Sequence, residues 1–303
     1  MTDTTDPATT AASATRAGRG RWDHTPGAVS GLTATGGLAT VELTWHSYRP
    51  RRGQLVDHYE VYVSERADRD GDLAHSATLL GRTLYPHLTH RVGPEPRKRH
   101  YTVVAVVSSG ARTRPARPVS AVSARSVAAG RAVARVGDFD HKGLEFALSP
   151  DQSARYRTAF PTGVDYRYGT STPGRDWSYL HPGPSDAWGG RKEHTFALRF
   201  DLATAPKDDL ACALWLIDAH ATAAGVAEVT LNGRPVRTLQ FQGGATRGSL
   251  EGDATRVGSA LKPSYYEFPL AADLFTAGEN VLRLRKTSGS WIAYDALGVF
   301  AAE

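Results

Sequence analysis

The chain has 303 residues, 41% hydrophobic and 22% charged, with a formal net charge of +5. That length favours two folded cores, and the composition excludes a disordered or collagen-like chain. No apolar run approaches the roughly 20 residues of a membrane-spanning helix, so no membrane partner is expected. The positive balance comes from Arg, which outnumbers Lys 30 to 6, a skew that GC-rich coding produces. The basic clusters Arg49 to Arg52 and Arg97 to His100 carry no nucleic-acid-binding motif, so no nucleic-acid partner is expected either. Cys212 is the single cysteine and lies in the apolar run Leu210 to Ile217, where a small buried residue fits. No disulfide and no metal-ligand spacing follow from it.

Residues 1–29 begin Thr-, Ala- and Ser-rich, without the apolar stretch of a signal peptide, and read as a disordered leader. Short alternating runs then follow: Val41-x-Leu43-x-Trp45, Tyr59-x-Val61-x-Val63 and Tyr101-x-Val103-x-Ala105-x-Val107. Each places one set of side chains on a common face, as a half-buried strand requires. Asp68 to Asp72 superficially suggests a calcium loop. Its glycine falls at the fourth position, and Leu79 stands where a bidentate Glu belongs, so it reads as a polar connection. The Ser-, Ala- and Arg-rich stretch Ser120 to Arg131 marks a boundary near Ala128.

Beyond it, Phe196-x-Leu198-x-Phe200, Leu214 to Ile217 and Ala227 to Leu231 read as core strands. Asn232-Gly233 suits a type I′ turn, which predicts a hairpin of Glu228 to Leu231 with Val236 to Phe241. Tyr265 to Leu270, Val281 to Arg285 and Tyr294 to Phe300 supply the remaining strands. Trp45, Trp215 and Trp291 lie in or beside strand patterns and are expected in the core. The fold class is therefore all-β, as two tandem sandwiches.

Leu43-x-Trp45, Tyr59 to Tyr62 and Tyr101 to Ala105 stand in the order and spacing of a fibronectin type III domain, which residues 30–127 resemble. That immunoglobulin-like sandwich implies a core Trp45 and a corner hydrogen bond from Tyr101. Residues 128–303 resemble the C-terminal, galactose-binding-like jelly roll of family 4 polysaccharide lyases, the rhamnogalacturonan lyases. The resemblance rests on Val136-Gly-Asp-Phe-Asp140, Asp176-Trp-Ser-Tyr179, Leu231-Asn-Gly233, Thr246-Arg-Gly248, Tyr266 to Leu270 and Gly278-Glu-Asn280 with Tyr294-Asp295. It implies a carbohydrate-binding accessory protein of pectic or rhamnogalacturonan type, outside the cell, with the first sandwich as a rigid spacer. Catalysis would fall to a separate partner, because the family's catalytic residues lie on a domain these motifs do not match. No catalytic residue, cofactor or metal is therefore expected, and a monomer is.

A sugar-binding surface needs aromatic platforms beside hydrogen-bonding side chains. The densest such stretch runs from Tyr166 to Arg191, and its Gly and Pro content reads as loop. Tyr166, Trp177, Tyr179 and Trp188 are the expected platforms, with Arg175 and Arg247 expected to pair a uronate carboxylate. The alternative is a polysaccharide lyase with its own site in the jelly roll, built from Tyr166, His181, Lys192, His194 and Tyr265. A second alternative is a structural or adhesion module.

Overall fold

The computed structural model describes residues 27–51, 53–66, 77–245 and 261–301. Most of the leader, the Asp68 to Asp72 stretch and Arg247 lie outside the described residues.

In the first sandwich, β1 (Thr33–Gly37), β2 (Thr40–Thr44) and β5 (His87–Arg91) make one sheet in the order β1-β2-β5. β3 (Val56–Ser64), β4 (Thr78–Thr83), β6 (Lys98–Val107) and β7 (Val119–Val122) make the other, in the order β4-β3-β6-β7. This three-plus-four antiparallel arrangement is the fibronectin type III-like sandwich. The alternation works as the sequence predicts: Val41, Leu43 and Trp45 are buried while Glu42 and Thr44 face out. Trp45 meets Tyr59 edge-on at 5.3 Å. Val29, which its sequence places in the leader, is itself buried in this core. The Tyr101 hydroxyl bonds Nδ1 of His90 at 2.9 Å, so a side chain takes the place of the expected backbone corner contact.

The second sandwich packs two five-stranded sheets. One joins β10 (Leu180–His181), β17 (Ile292–Ala301), β12 (Leu210–Ala219) and β15 (Ser264–Leu270) in that order, and β8 (Ala132–Gly137) also pairs with β17. The other runs β14 (Arg234–Gln240), β13 (Val226–Leu231), β16 (Gly278–Lys286), β11 (His194–Leu202), β9 (Val164–Arg167). Its β9–β11 pair is parallel. Asn232 (φ 53°) and Gly233 (φ 80°) turn the β13–β14 hairpin, both with the positive φ that a type I′ turn demands. Cys212, Leu214 and Leu216 of β12 point into the core with Phe196, Leu198 and Leu284.

The opposite face of β12 is covered as well. Ala213 and Trp215 there form a second small core with Ala296, Phe300 and Phe139. Ala39 of the first sandwich and the linker residues Val127 and Ala128 join it. The first sandwich is thus seated on an outer sheet face, held by polar bonds as well as apolar contact. Across the contact, Arg91 Nη2 donates to the Leu261 carbonyl at 2.6 Å and His141 Nε2 donates to the Val92 carbonyl at 2.7 Å. Glu267 of β15 holds the connecting stretch and Trp215 of its own sandwich, accepting Ser126 Oγ at 2.5 Å, the Val127 amide at 3.0 Å and Trp215 Nε1 at 3.1 Å.

Candidate functional site

The aromatic-rich stretch expected to carry the ligand folds mainly into the core. β9 lies parallel to β11, so Tyr166 alternates inward between the outward-facing Asp165 and Arg167. Trp177, at 0% exposure, packs edge-on against Tyr166, Phe196 and Tyr294. Tyr179 is buried beside it. A ring enclosed on all sides cannot stack on a sugar, so Tyr166, Trp177 and Tyr179 are corrected to core residues. The Gly and Pro density that reads as loop belongs to a chain folded across the mouth of the sandwich. Trp188 is half-buried against Tyr156 at 5.8 Å. Arg175 is exposed, but Nε and Nη2 each bond Asp176 at 2.8 Å, so the fork meant for a ligand carboxylate is already filled by its neighbour.

Of the residues considered for catalysis, His181 and His194 form a closed buried network. His181 stacks on Phe196 at 3.8 Å, meets the Tyr294 hydroxyl through Nδ1 and donates from Nε2 to the His194 carbonyl. His194 in turn meets the Tyr156 hydroxyl and the Gly189 carbonyl. Burial pushes both imidazoles below their ordinary range. Lys286 is fully buried, with Nζ donating to the Ala224 carbonyl and lying 4.8 Å from the Phe241 ring centre. Burial pulls it down to about 7. These groups satisfy one another and offer no open reacting centre.

A different cluster forms where the sandwiches meet. β17 carries a bulge at Asp295, because Trp215 pairs with Ala296 while the next residue, Leu216, pairs with Tyr294. Bulges redirect side chains, and this one sets Asp295 on the outer side of the sheet beside Trp215. The 138–145 segment closes over it, anchored by Gly137 at φ 79°. A Cβ at Gly137 would meet the Phe146 ring at 2.5 Å and the Asp295 carbonyl at 2.6 Å. His141 of that segment stacks on Trp215 at 5.2 Å and abuts Tyr265 edge-on at 5.7 Å. Its Nε2 lies 2.7 Å from the Val92 carbonyl, which can only accept, so Nε2 carries the proton. Nδ1 is then free to accept from the Tyr265 hydroxyl at 3.3 Å. Arg91 of β5 donates from Nη2 to the Leu261 carbonyl at 2.6 Å and forms no ion pair among the described residues.

The electrostatics of this junction are unusual in two places. Asp295 is 1% exposed, and neither carboxyl oxygen has a well-formed hydrogen bond. Burial drives it up to about 8, with Asp140 and Glu145 adding to the rise and the His141 and Lys142 amides opposing it. Asp295 is therefore mainly protonated at neutral pH. Asp218 is also buried and pushed up, although Oδ1 accepts from the Ala245 amide at 2.7 Å and the Lys262 amide at 3.4 Å. Tyr265 rises through burial, with Arg91 opposing and Asp295 and Glu42 adding to the shift. These residues come from distant parts of the chain, so no local motif announces the cluster. The one hint in sequence is the Tyr294-Asp295 pair inside an otherwise apolar strand. Among the described residues there is no group of three or more His, Cys, Asp or Glu suited to a metal ion. Nor is any helix among them long and apolar enough to cross a membrane.

Residues 132–299 match the model of a carbohydrate-binding-module-like family, polysaccharide lyase family 4 domain III. No curated protein matches the chain. Similar solved structures include a fibronectin type III domain of human fibronectin type III domain containing protein 3, 14% identical. It covers 34% of this chain and 89% of that one, at a TM-score of 0.27. A titin kinase with its flanking domains is 16% identical over 33% of this chain and 17% of that one, at a TM-score of 0.26. The family 28 exopolygalacturonase of Yersinia enterocolitica is 13% identical over 33% and 20%, at a TM-score of 0.26.

Proposed function

The chain belongs, through residues 132–299, to the CBM-like family of polysaccharide lyase family 4 domain III, and from that premise we propose that it is a polysaccharide-binding accessory protein for pectic, rhamnogalacturonan-type polymers. The observation that carries this reading is that the matched span runs from β8 into β17 and so takes in nearly all of the second sandwich. In this reading residues 30–127 form the first domain and residues 128–303 the second, with the boundary near Ala128. The ligand meets the protein at the seam between them. Cleavage of the polymer falls to a separate catalytic partner, and the protein acts as a monomer.

Affinity electrophoresis in gels containing rhamnogalacturonan tests this, with ultraviolet absorbance of the same mixture reporting new unsaturated chain ends. Retardation without absorbance is the expected result. Rising absorbance would replace the reading with β-elimination inside these two sandwiches, and absence of retardation would remove polysaccharide binding altogether.

A further inference from the structure

We infer that the last strand of the first sandwich and its neighbour, through Lys98, Arg114 and Arg117, hold the carboxylates of an acidic polysaccharide. This rests on the polysaccharide-binding reading above and assigns the recognition of the polymer's acid groups. The first sign is how charge divides along the chain. Residues 30–127 hold 14 Lys and Arg against 8 Asp and Glu, a net +6, whereas residues 128–303 hold 19 against 20, a net −1. GC-rich coding raises Arg throughout a chain and does not gather the excess into one sandwich. The counts take in every residue of both spans, so no acidic side chain stands outside the balance.

The structure sets part of this excess in a line. Beyond β6 the chain turns at Gly110 and runs back along that strand: Arg112 bridges to Val106, and the amides of Thr113 and Ala116 bond the carbonyls of Ala105 and Val103, both at 2.9 Å. β7 continues the pairing until Val122 lies opposite Lys98. Thr113 and Ala116 are buried, whereas Arg114 and Arg117 are exposed. Tyr101, Val103 and Ala105 of β6 enter the core, which leaves the exposed Lys98 on the outer face. None of the three cations has an ion pair or a side-chain hydrogen bond among the described residues. Nearby acids are already engaged. Glu60 is 1% exposed and meets Arg112 through Nε at 3.0 Å and Nη2 at 3.1 Å, and Glu65 accepts from Arg99 at 2.8 Å. Eight residues of β6 separate Val106 from Lys98, about 27 Å at roughly 3.4 Å per residue, a span suited to charges that repeat along a polymer.

A guanidinium matches a carboxylate bidentately, and Arg114 and Arg117 have theirs unoccupied. Nucleic acid is the competing polyanion, but residues 108–124 include no aromatic side chain on which a base could stack. The line also leads somewhere. β7 runs on into Ser126 and Val127, which Glu267 fastens to the second sandwich, so a polymer lying along it is delivered to the seam. Contacts between exposed charges are individually weak and screened by salt, so binding here depends on several at once.

The test measures retention of the full chain on immobilised rhamnogalacturonan, on its carboxyl-reduced form and on single-stranded DNA, at low and at raised salt. Retention on rhamnogalacturonan that weakens with salt and with carboxyl reduction is expected. Arg114→Gln with Arg117→Gln should weaken it about tenfold, the combined effect of two exposed ion pairs. Arg155→Gln with Lys207→Gln removes the same charge from exposed positions of the second sandwich and should leave retention unchanged. All four positions are exposed, so folding is not at stake. Undiminished retention after carboxyl reduction or in the Arg114 and Arg117 variant, or an equal loss in both double variants, would overturn the inference and leave polysaccharide binding standing. Stronger retention on DNA than on the polymer would overturn it in favour of nucleic acid. Failure to bind either polysaccharide would overturn both readings.

Discussion

Replacing Glu267 by Ala tests whether the stretch that joins the two sandwiches is held on the second one as the geometry implies. The carboxylate accepts from Ser126 Oγ, from the Val127 amide and from the Trp215 indole, at 2.5 to 3.1 Å. Hydrogen bonds to a charged group contribute about 1.5–3 kcal/mol each, but donors near the seam regain water when their acceptor is lost. The indole of Trp215 is fully buried and recovers least. The net loss should be about 3 kcal/mol, which for a domain of this size lowers the melting temperature by roughly 6–12 °C. Glu267→Gln keeps one acceptor but turns an N–H toward another donor, so it should fall between, at about 1–2 kcal/mol. Urea denaturation followed by tryptophan fluorescence reads this directly, since Trp215 lies in the affected contact. A change below about 0.5 kcal/mol in Glu267→Ala, the range of an ordinary surface substitution, would show that the carboxylate does not hold the connecting stretch.

The other predictions concern buried groups. Asp295, raised to about 8 from the 3.8 of an ordinary aspartate, makes the folded state progressively less stable as pH climbs between those values. Asp295→Asn should flatten that decline, measured by denaturation across the same window; an unchanged pH profile would contradict its burial. Lys286 works in the opposite sense. Pulled down to about 7 from 10.5, it makes stability rise with pH across that interval, and Lys286→Met should abolish the rise while matching or exceeding the parent near neutrality. Glu60 is buried, which acts to raise its pKa, yet its bonds to Arg112, Tyr62 and His58 outweigh burial and hold it at about 2. Glu60→Gln should destabilise the first sandwich at neutral pH and converge with the parent as pH falls toward 2. Trp177→Ala should cost about 3–5 kcal/mol by opening a cavity in the core. Near-parental thermal stability in that variant would refute the core placement.

What was legible in sequence is what local periodicity controls. The alternation of Val41, Leu43 and Trp45 and the Asn232-Gly233 turn each express one strand or one hairpin, and both appear where their chemistry demands. Trp45, Trp215 and Trp291 are buried as their strand positions imply. Tyr166, Trp177 and Tyr179 misled because aromatic density among Gly and Pro resembles a binding loop. The parallel pairing of β9 on β11, between residues about 30 positions apart, turns Tyr166 inward, and the backbone bonds that Ala147 makes to Trp177 and Tyr179 hold the other two in the core. The seam was illegible for a related reason. Arg91, His141, Asp218, Tyr265 and Asp295 share no motif, and a bulge that adds one residue to a strand sets Asp295 beyond any period-two reading.

Asp218 receives the amides of both Ala245 and Lys262, so the chain departs from the sheet and returns to it at a single carboxylate. One side chain therefore works as a rivet through two places in the sequence. Its loss would be felt at both together, because Asp218→Ala takes the acceptor from the Ala245 and Lys262 amides in a single step.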